Sequence, residues 1–195
     1  RIAPDGEVQV KGPQVMKGYY KKPEKTAEDI IDGGWFRTGD IGEFDEDGFL
    51  RITDRIKDLI ITSGGKNIAP QKIETYVGKD FFIEQIVSIG DRRKFVSALV
   101  VPSFEALEEW AHDNGIEYRS TEELVRHPDV IQLYRDRIDQ NSDALAQYET
   151  IKKFTILPSP FSVEGGEITP TLKLKRKAIG KKYQAEVDAM YGSGL

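Results

Sequence analysis

Apolar positions recur at two spacings along this chain, and the switches between them outline its elements. Gly6 to Val10 alternates weakly and ends at the breaker Gly12-Pro13. Ala27 to Ile31 reads as a short helix stopped by Gly33-Gly34. Ile41 to Ile52 predicts a hairpin, two half-apolar strands around Asp45-Glu46-Asp47-Gly48, where Asp-Gly supplies positive φ. Lys57 to Thr62 reads as a short strand with the run Leu59-Ile60-Ile61. Pro70 opens a helix to about Val77, with Ile73 and Val77 on one face.

Further along, Ile83 to Ile89 and Phe95 to Val101 read as strands joined by Gly90-Asp91-Arg92-Arg93-Lys94. Ser103 can cap a helix striped by Phe104, Leu107, Trp110 and Ala111 and ended by Gly115. Trp110 is then a packed aromatic. Thr121 begins a helical turn, and Pro128 opens a longer helix with Ile131, Tyr134, Ile138 and Leu145 on one side. Ile151 to Leu157 is a last strand, residues 158–170 a loop, and Lys175 to Tyr191 one closing helix with Ile179, Tyr183 and Val187 at spacing four. Strands interleaved with helices, without regular βαβ repetition, predict an α+β domain over 55–195 with a small antiparallel or mixed sheet packed by helices. Residues 1–54 read as an all-β fragment that needs a larger body to pack on.

Composition narrows the function classes. At 195 residues, 38% hydrophobic and 31% charged, the chain holds one ordinary domain or a domain plus a piece of another. No apolar run approaches the roughly 18–20 residues that span a membrane, and no signal peptide is visible. The start at Arg1 rather than Met leaves room for an upstream part. Cysteine is absent, which excludes disulfides, thiolate metal sites and a cysteine nucleophile and fits a reducing cytoplasm. A net charge of −5 argues against general nucleic-acid affinity. His112 and His127 read as surface residues, and the acidic turn at 45–48 lacks the closing Glu of an EF-hand, so no metal ligand is assigned.

Several short segments could carry chemistry. Asp40, after Thr38-Gly39, could accept hydrogen bonds from two vicinal hydroxyls, or could satisfy the backbone of a turn. Arg55 in Asp54-Arg55-Ile56-Lys57-Asp58 could fork onto a phosphate or ribose, or lie on a solvated strand edge. Ser63-Gly64-Gly65-Lys66-Asn67 is not a Walker A loop; its glycines mean a tight turn or close approach of a ligand to the backbone. Lys173, in Thr169-Pro170-Thr171-Leu172-Lys173, could reach into a distant site, whereas Lys175, Lys177, Lys181 and Lys182 read as a charged helix surface. Glu108-Glu109 and Glu122-Glu123 read as solvated helix surface, and no Ser/His/Asp arrangement is apparent.

The order of these segments is more specific than any one of them. Val15-Met16-Lys17-Gly18-Tyr19-Tyr20, then Gly33-Gly34-Trp35-Phe36-Arg37-Thr38-Gly39-Asp40, then Asp54-Arg55 with Lys57, then Gly64 and Ile73-Glu74, then a lysine near the end, resembles the adenylate-forming superfamily across essentially the whole chain. The stretch from Phe95 to Leu157 and the Thr-Pro-Thr-Leu-Lys-Leu-Lys-Arg ending look most like the long-chain fatty acid–CoA ligases. The resemblance implies that residues 1–54 end a large AMP-binding domain and that 55–195 form a mobile C-terminal lid. Asp40 would hold the ATP ribose, Arg55 would contact ribose or phosphate, and Lys57 would be the hinge. Gly64 and Gly65 would line the pantetheine tunnel, and Lys173 would bridge carboxylate and α-phosphate during adenylation. Two departures stand out: Lys57 where many members have Asp, and Thr171-Leu172-Lys173 where Ser-Gly-Lys is usual, which keeps Lys175 open as the alternative.

The implied activity is AMP-forming acyl-CoA synthesis from a fatty acid, ATP and CoA, with Mg2+ bound mainly by the larger N-terminal domain and the isolated fragment inactive. An acyl-AMP ligase loading a carrier protein, or a non-catalytic module of the same fold, are the rival expectations. A cytoplasmic location with peripheral membrane contact fits a handler of greasy substrates. Acyl chain length and oligomeric state are not specified by these motifs.

Overall fold

The structure, a computed structural model, describes residues 1–192. The last three residues of the expected second domain lie outside that range. Contacts divide the chain into two compact units, Arg1–Leu59 and Ile60 onward.

The first unit is built on one long strand. Its elements are β1 (Glu7–Val10), α1 (Pro23–Asp29), β2 (Ile30–Ile31), β3 (Trp35–Phe44), β4 (Leu50–Arg55) and the 3₁₀ turn Ile56–Asp58. β3 pairs antiparallel with β1, β2 and β4, so one strand carries the sheet. The unit is therefore not all-β. α1 spans Pro23–Asp29 rather than Ala27 to Ile31, started by Pro23 at its first turn with Glu24 behind it. Ile30 and Ile31 are strand instead, because Gly33 and Gly34 at φ +78° and +75° turn the chain back so that Ile31 pairs with Trp35. The hairpin of β3 and β4 closes as the sequence predicts. Asp45 accepts the N–H groups of Asp47 and Phe49, and Gly48 takes φ +84°.

The second unit comprises β5 (Ile60–Ile61), β6 (Asn67–Ile68), α2 (Pro70–Val77), β7 (Ile83–Ile89), β8 (Val96–Pro102), α3 (Phe104–Asp113), α4 (Thr121–Leu124), α5 (Pro128–Gln140), β9 (Ile151–Ile156), α6 (Arg176–Lys182) and α7 (Gln184–Gly192). β8 is the centre of a three-stranded sheet, antiparallel to β7 and parallel to β9, with α3, α4 and α5 forming the crossover between the parallel pair. Every residue of β8 is buried, as expected of a strand covered on both faces. Val96, Ala98 and Val100 face a core shared with Ile73 and Val77 of α2, Leu107 and Ala111 of α3, and α5. Leu99 and Val101 face the opposite core, with Phe161, Ile168, Ile179, Val187 and Met190. Trp110 packs against the first of these cores.

Three expectations fail locally. Lys57 to Thr62 is the end of a 3₁₀ turn, Ile56–Asp58, followed by a two-residue strand, because the Leu59 N–H bonds back to the Ile56 carbonyl and the chain is extended only from Leu59 (φ −55°, ψ 135°). On α5 the buried stripe is Val130, Tyr134 and Ile138, while Ile131 is 44% exposed. Leu145 is buried but lies beyond the helix end. The closing helix is two helices, parted at Tyr183 (φ −102°, ψ 33°), where Lys182 and Tyr183 both reach the buried carboxylate of Glu167.

Candidate functional site

In the first unit, Asp40 and Arg55 face each other across β3 and β4, and Arg55 Nε donates to Asp40 Oδ1 at 3.1 Å. Arg55 remains largely exposed and Asp40 partly so, leaving the pair accessible. The segment leading to Asp40 is anchored from below by a residue that sequence reasoning did not single out. Glu7 on β1 is buried, and its two carboxylate oxygens accept from the Gly39 N–H at 3.1 Å and Arg37 Nε at 2.7 Å. Thr38 adds a bond from its hydroxyl to the Val8 carbonyl, and the same hydroxyl oxygen accepts the Asp40 N–H. Gly39 takes φ +73°, a conformation glycine adopts without strain. The available signal was a Glu in a weakly alternating strand and an Arg in an apolar one, each needing an opposite charge if buried.

Arg37, Thr38, Arg55 and Lys57 line a depression of about 530 Å³ together with Tyr19 and Asp29. Lys25 donates to Asp29 at 2.8 Å and holds its carboxyl below the usual range. Asp29 accepts from the Tyr19 hydroxyl at 3.0 Å and thereby pushes the phenol pKa up. Lys57 sits in the 3₁₀ turn just before the boundary of the unit.

In the second unit, Gly64 and Gly65 occupy the turn joining β5 and β6. Thr62 closes it three ways: its N–H donates to the Lys66 carbonyl at 3.1 Å, its carbonyl accepts from Gly65 N–H at 2.9 Å, and its hydroxyl accepts from Lys66 N–H at 3.1 Å. Gly65 has φ +75°, and a Cβ there would meet nothing within 4 Å. At Gly64 a Cβ would meet only the Thr62 hydroxyl, at 4.0 Å. The surface over both glycines is thus open within this unit.

Lys173 lies on a separate hairpin over 167–175, exposed, immediately after the turn Thr169-Pro170-Thr171-Leu172. The root of that hairpin is fixed by Glu167, whose carbonyl accepts the Lys175 N–H and whose buried carboxylate receives Lys182. Burial pushes the Glu167 pKa up, but the Lys182 and backbone hydrogen bonds outweigh it and hold the group below its usual value. Lys175 stands at the N-terminus of α6. Next along, Arg176 forks onto Glu74 of α2 (2.5 and 3.0 Å) and donates to the Ser88 carbonyl at 2.9 Å. That bidentate pair ties the helix after the glycine turn to the helix after Lys173.

A family model described as the AMP-binding enzyme C-terminal domain matches residues 57–194. This chain belongs to the AMP-binding enzymes. Among its relatives, the long-chain-fatty-acid–CoA ligase FadD15 of Mycobacterium tuberculosis is 42% identical over 192 residues, covering 98% of this chain and 32% of that protein. Human long-chain-fatty-acid–CoA ligase 1 is 38% identical over 192 residues, covering 97% of this chain and 27% of its own length. The chain thus spans about a third of the length of the curated relatives it matches and corresponds to their C-terminal part. Among solved structures, the adenylation domain of the carboxylate reductase of Mycobacterium chelonae superposes with a TM-score of 0.74 at 29% identity, over 96% of this chain and 28% of its own. The two-domain fragment of the carboxylic acid reductase of Segniliparus rugosus, in complex with AMP, gives 0.73 at 28% identity, over 95% and 24%. Its mixed α+β architecture, shared with these adenylation domains, is the fold class the sequence predicts. Among the described residues no helix is long and apolar enough to cross a membrane, and no group of three or more His, Asp or Glu side chains stands together as a metal site.

Proposed function

We propose that this chain is the C-terminal part of an ATP-dependent fatty acid–CoA ligase that activates a long-chain acid as acyl-AMP and passes it to CoA. The observation that carries this reading is 42% identity to a long-chain ligase across 98% of the chain, with Asp40, Arg55, Gly64 and Lys173 all present in order. Residues 1–54 then finish the large AMP-binding domain, and 55–195 form the lid, turning about Lys57. Asp40 accepts the ribose hydroxyls, and its exposed partner Arg55 faces ribose or phosphate.

In the first half-reaction the carboxylate oxygen attacks the α-phosphorus, forming the acyl–phosphate bond as pyrophosphate leaves. Two anions meet, so a positioned ammonium at Lys173 lowers the barrier, by on the order of 2.7–4 kcal/mol on the scale of one preorganised donor. In the second, the CoA thiol gives up its proton, its sulfur attacks the acyl carbon, and AMP leaves. That step needs Lys173 withdrawn and a narrow path past Gly64 and Gly65, which a rotating lid with two working faces supplies. Mg2+ neutralises phosphate charge when bound; we assign it to the larger domain and no residue of this chain to it. The 195 residues alone are inactive on this reading, and the enzyme works in the cytoplasm, in peripheral contact with membranes that hold its substrate.

The test is the full-length protein given ATP, CoA and acids of graded length. Pyrophosphate exchange with CoA consumption, rising toward long acids, is the expected result. Exchange with loading of a carrier protein but no use of CoA would reassign it as an acyl-AMP ligase, and absence of exchange would leave only a binding module.

A further inference from the structure

We infer that Thr169 is a positioning residue for Lys173, holding the lysine on an otherwise unfavourable turn; this rests on the adenylation role proposed above. Leu172, the residue before Lys173, has φ +60°, in the left-handed region that disfavours any residue with a Cβ. Its side chain is 74% exposed, so burial does little to offset that conformation. What holds it is Thr169. The Thr169 carbonyl accepts the Leu172 N–H at 2.8 Å, its N–H donates to the Lys173 carbonyl at 2.9 Å, and its hydroxyl oxygen accepts the Lys173 N–H at 3.0 Å. Pro170 sits where a β-turn favours proline, fixing the approach. The Thr171 hydroxyl meets the Thr169 hydroxyl at 3.0 Å, orienting it.

The glycine turn of the same unit repeats the three threonine bonds. Thr62 makes the same three bonds, and Lys66 follows a residue at φ +75°. There, however, the left-handed residue is Gly65, which needs no restraint to stay. The hydroxyl is therefore more critical in the Thr169 turn. Without it, Leu172 relaxes toward negative φ, the peptide between Leu172 and Lys173 rotates, and the lysine points elsewhere.

The experiment uses the full-length protein and measures both half-reactions: pyrophosphate exchange, and conversion of supplied acyl-adenylate to acyl-CoA. Thr169→Val is expected to lower exchange by on the order of 10- to 100-fold, the range that a misplaced catalytic group costs. Acyl-CoA formation from the adenylate should stay unchanged, because that step does not use Lys173. Thr169→Ser, which keeps the hydroxyl, should recover most of the exchange rate. Adding Leu172→Gly to Thr169→Val should restore part of it, because glycine adopts the turn without the lock. Exchange unchanged in Thr169→Val, equal losses in both half-reactions, or no recovery on adding Leu172→Gly would each overturn the assignment. Lys173→Ala, run alongside, separates two failures. If it leaves exchange intact, the lysine assignment falls and takes this role with it. If it abolishes exchange while Thr169→Val does not, the positioning role alone falls.

Discussion

The turn at 62–66 and the turn at 169–173 share one hydrogen-bond design and differ in the residue at the left-handed position, Gly65 in one and Leu172 in the other. The first leaves an open, side-chain-free surface, suited to a ligand sliding past backbone. The second presents a cation from a conformation costing roughly 1–2 kcal/mol for a residue with a Cβ. Conformational cost tends to be held where geometry matters to chemistry, and here it falls at the turn that carries the proposed adenylating lysine. On the proposed function, one domain can thus serve a path and a charge with the same local architecture.

The sharpest way to break this comparison is Lys173→Ala in the full-length protein. Pyrophosphate exchange should fall about 10²- to 10³-fold, the effect of removing one preorganised donor. Second comes Gly64→Leu, which adds bulk without disturbing the turn, since Gly64 has no positive φ and open space over its Cα. It should slow acyl-CoA formation from supplied adenylate by on the order of tenfold or more through misplaced thiol approach. Asp40→Ala follows. Loss of a charged acceptor should raise the KM for ATP by about tenfold, and by much less for 2′,3′-dideoxy-ATP, which lacks the hydroxyls in question. The smallest effect concerns the root of the Lys173 hairpin. The folded-state pKa of Glu167 is depressed, so its contribution is complete above the unfolded value of about 4.3 and is lost as pH falls through the folded value. The protection factors for amide exchange over 162–175, taken relative to the intrinsic exchange rate at each pH, should therefore fall on acidification, and Glu167→Gln should flatten that dependence.

Much of this was legible in the sequence because it is local. Pro70 with Ile73 and Val77, the Asp-Gly hairpin, and the strands around 83–102 each follow from spacing and turn chemistry within a dozen residues. The helix break at Tyr183 was not legible, since it depends on Lys182 and Tyr183 reaching Glu167 across a loop. On α5, Val130 and Ile131 fit a helical stripe equally well, and only tertiary packing selects Val130. Glu7 lay hidden for the same reason: its partners Arg37 and Gly39 are some thirty residues away along the chain. The matched turns are a different case. Thr-x-x-x-Lys occurs at both, but a leucine gives no sequence sign that it will adopt positive φ.

On the proposed function, two faces of the C-terminal domain each serve one half-reaction. The most direct measurement is both half-reactions in Lys173→Ala and Gly64→Leu of the full-length protein, side by side. A crossed pattern is expected: Lys173→Ala loses pyrophosphate exchange and keeps conversion of supplied acyl-adenylate, while Gly64→Leu does the reverse. Parallel losses, with both variants impaired in the same half-reaction to similar extents, would contradict it.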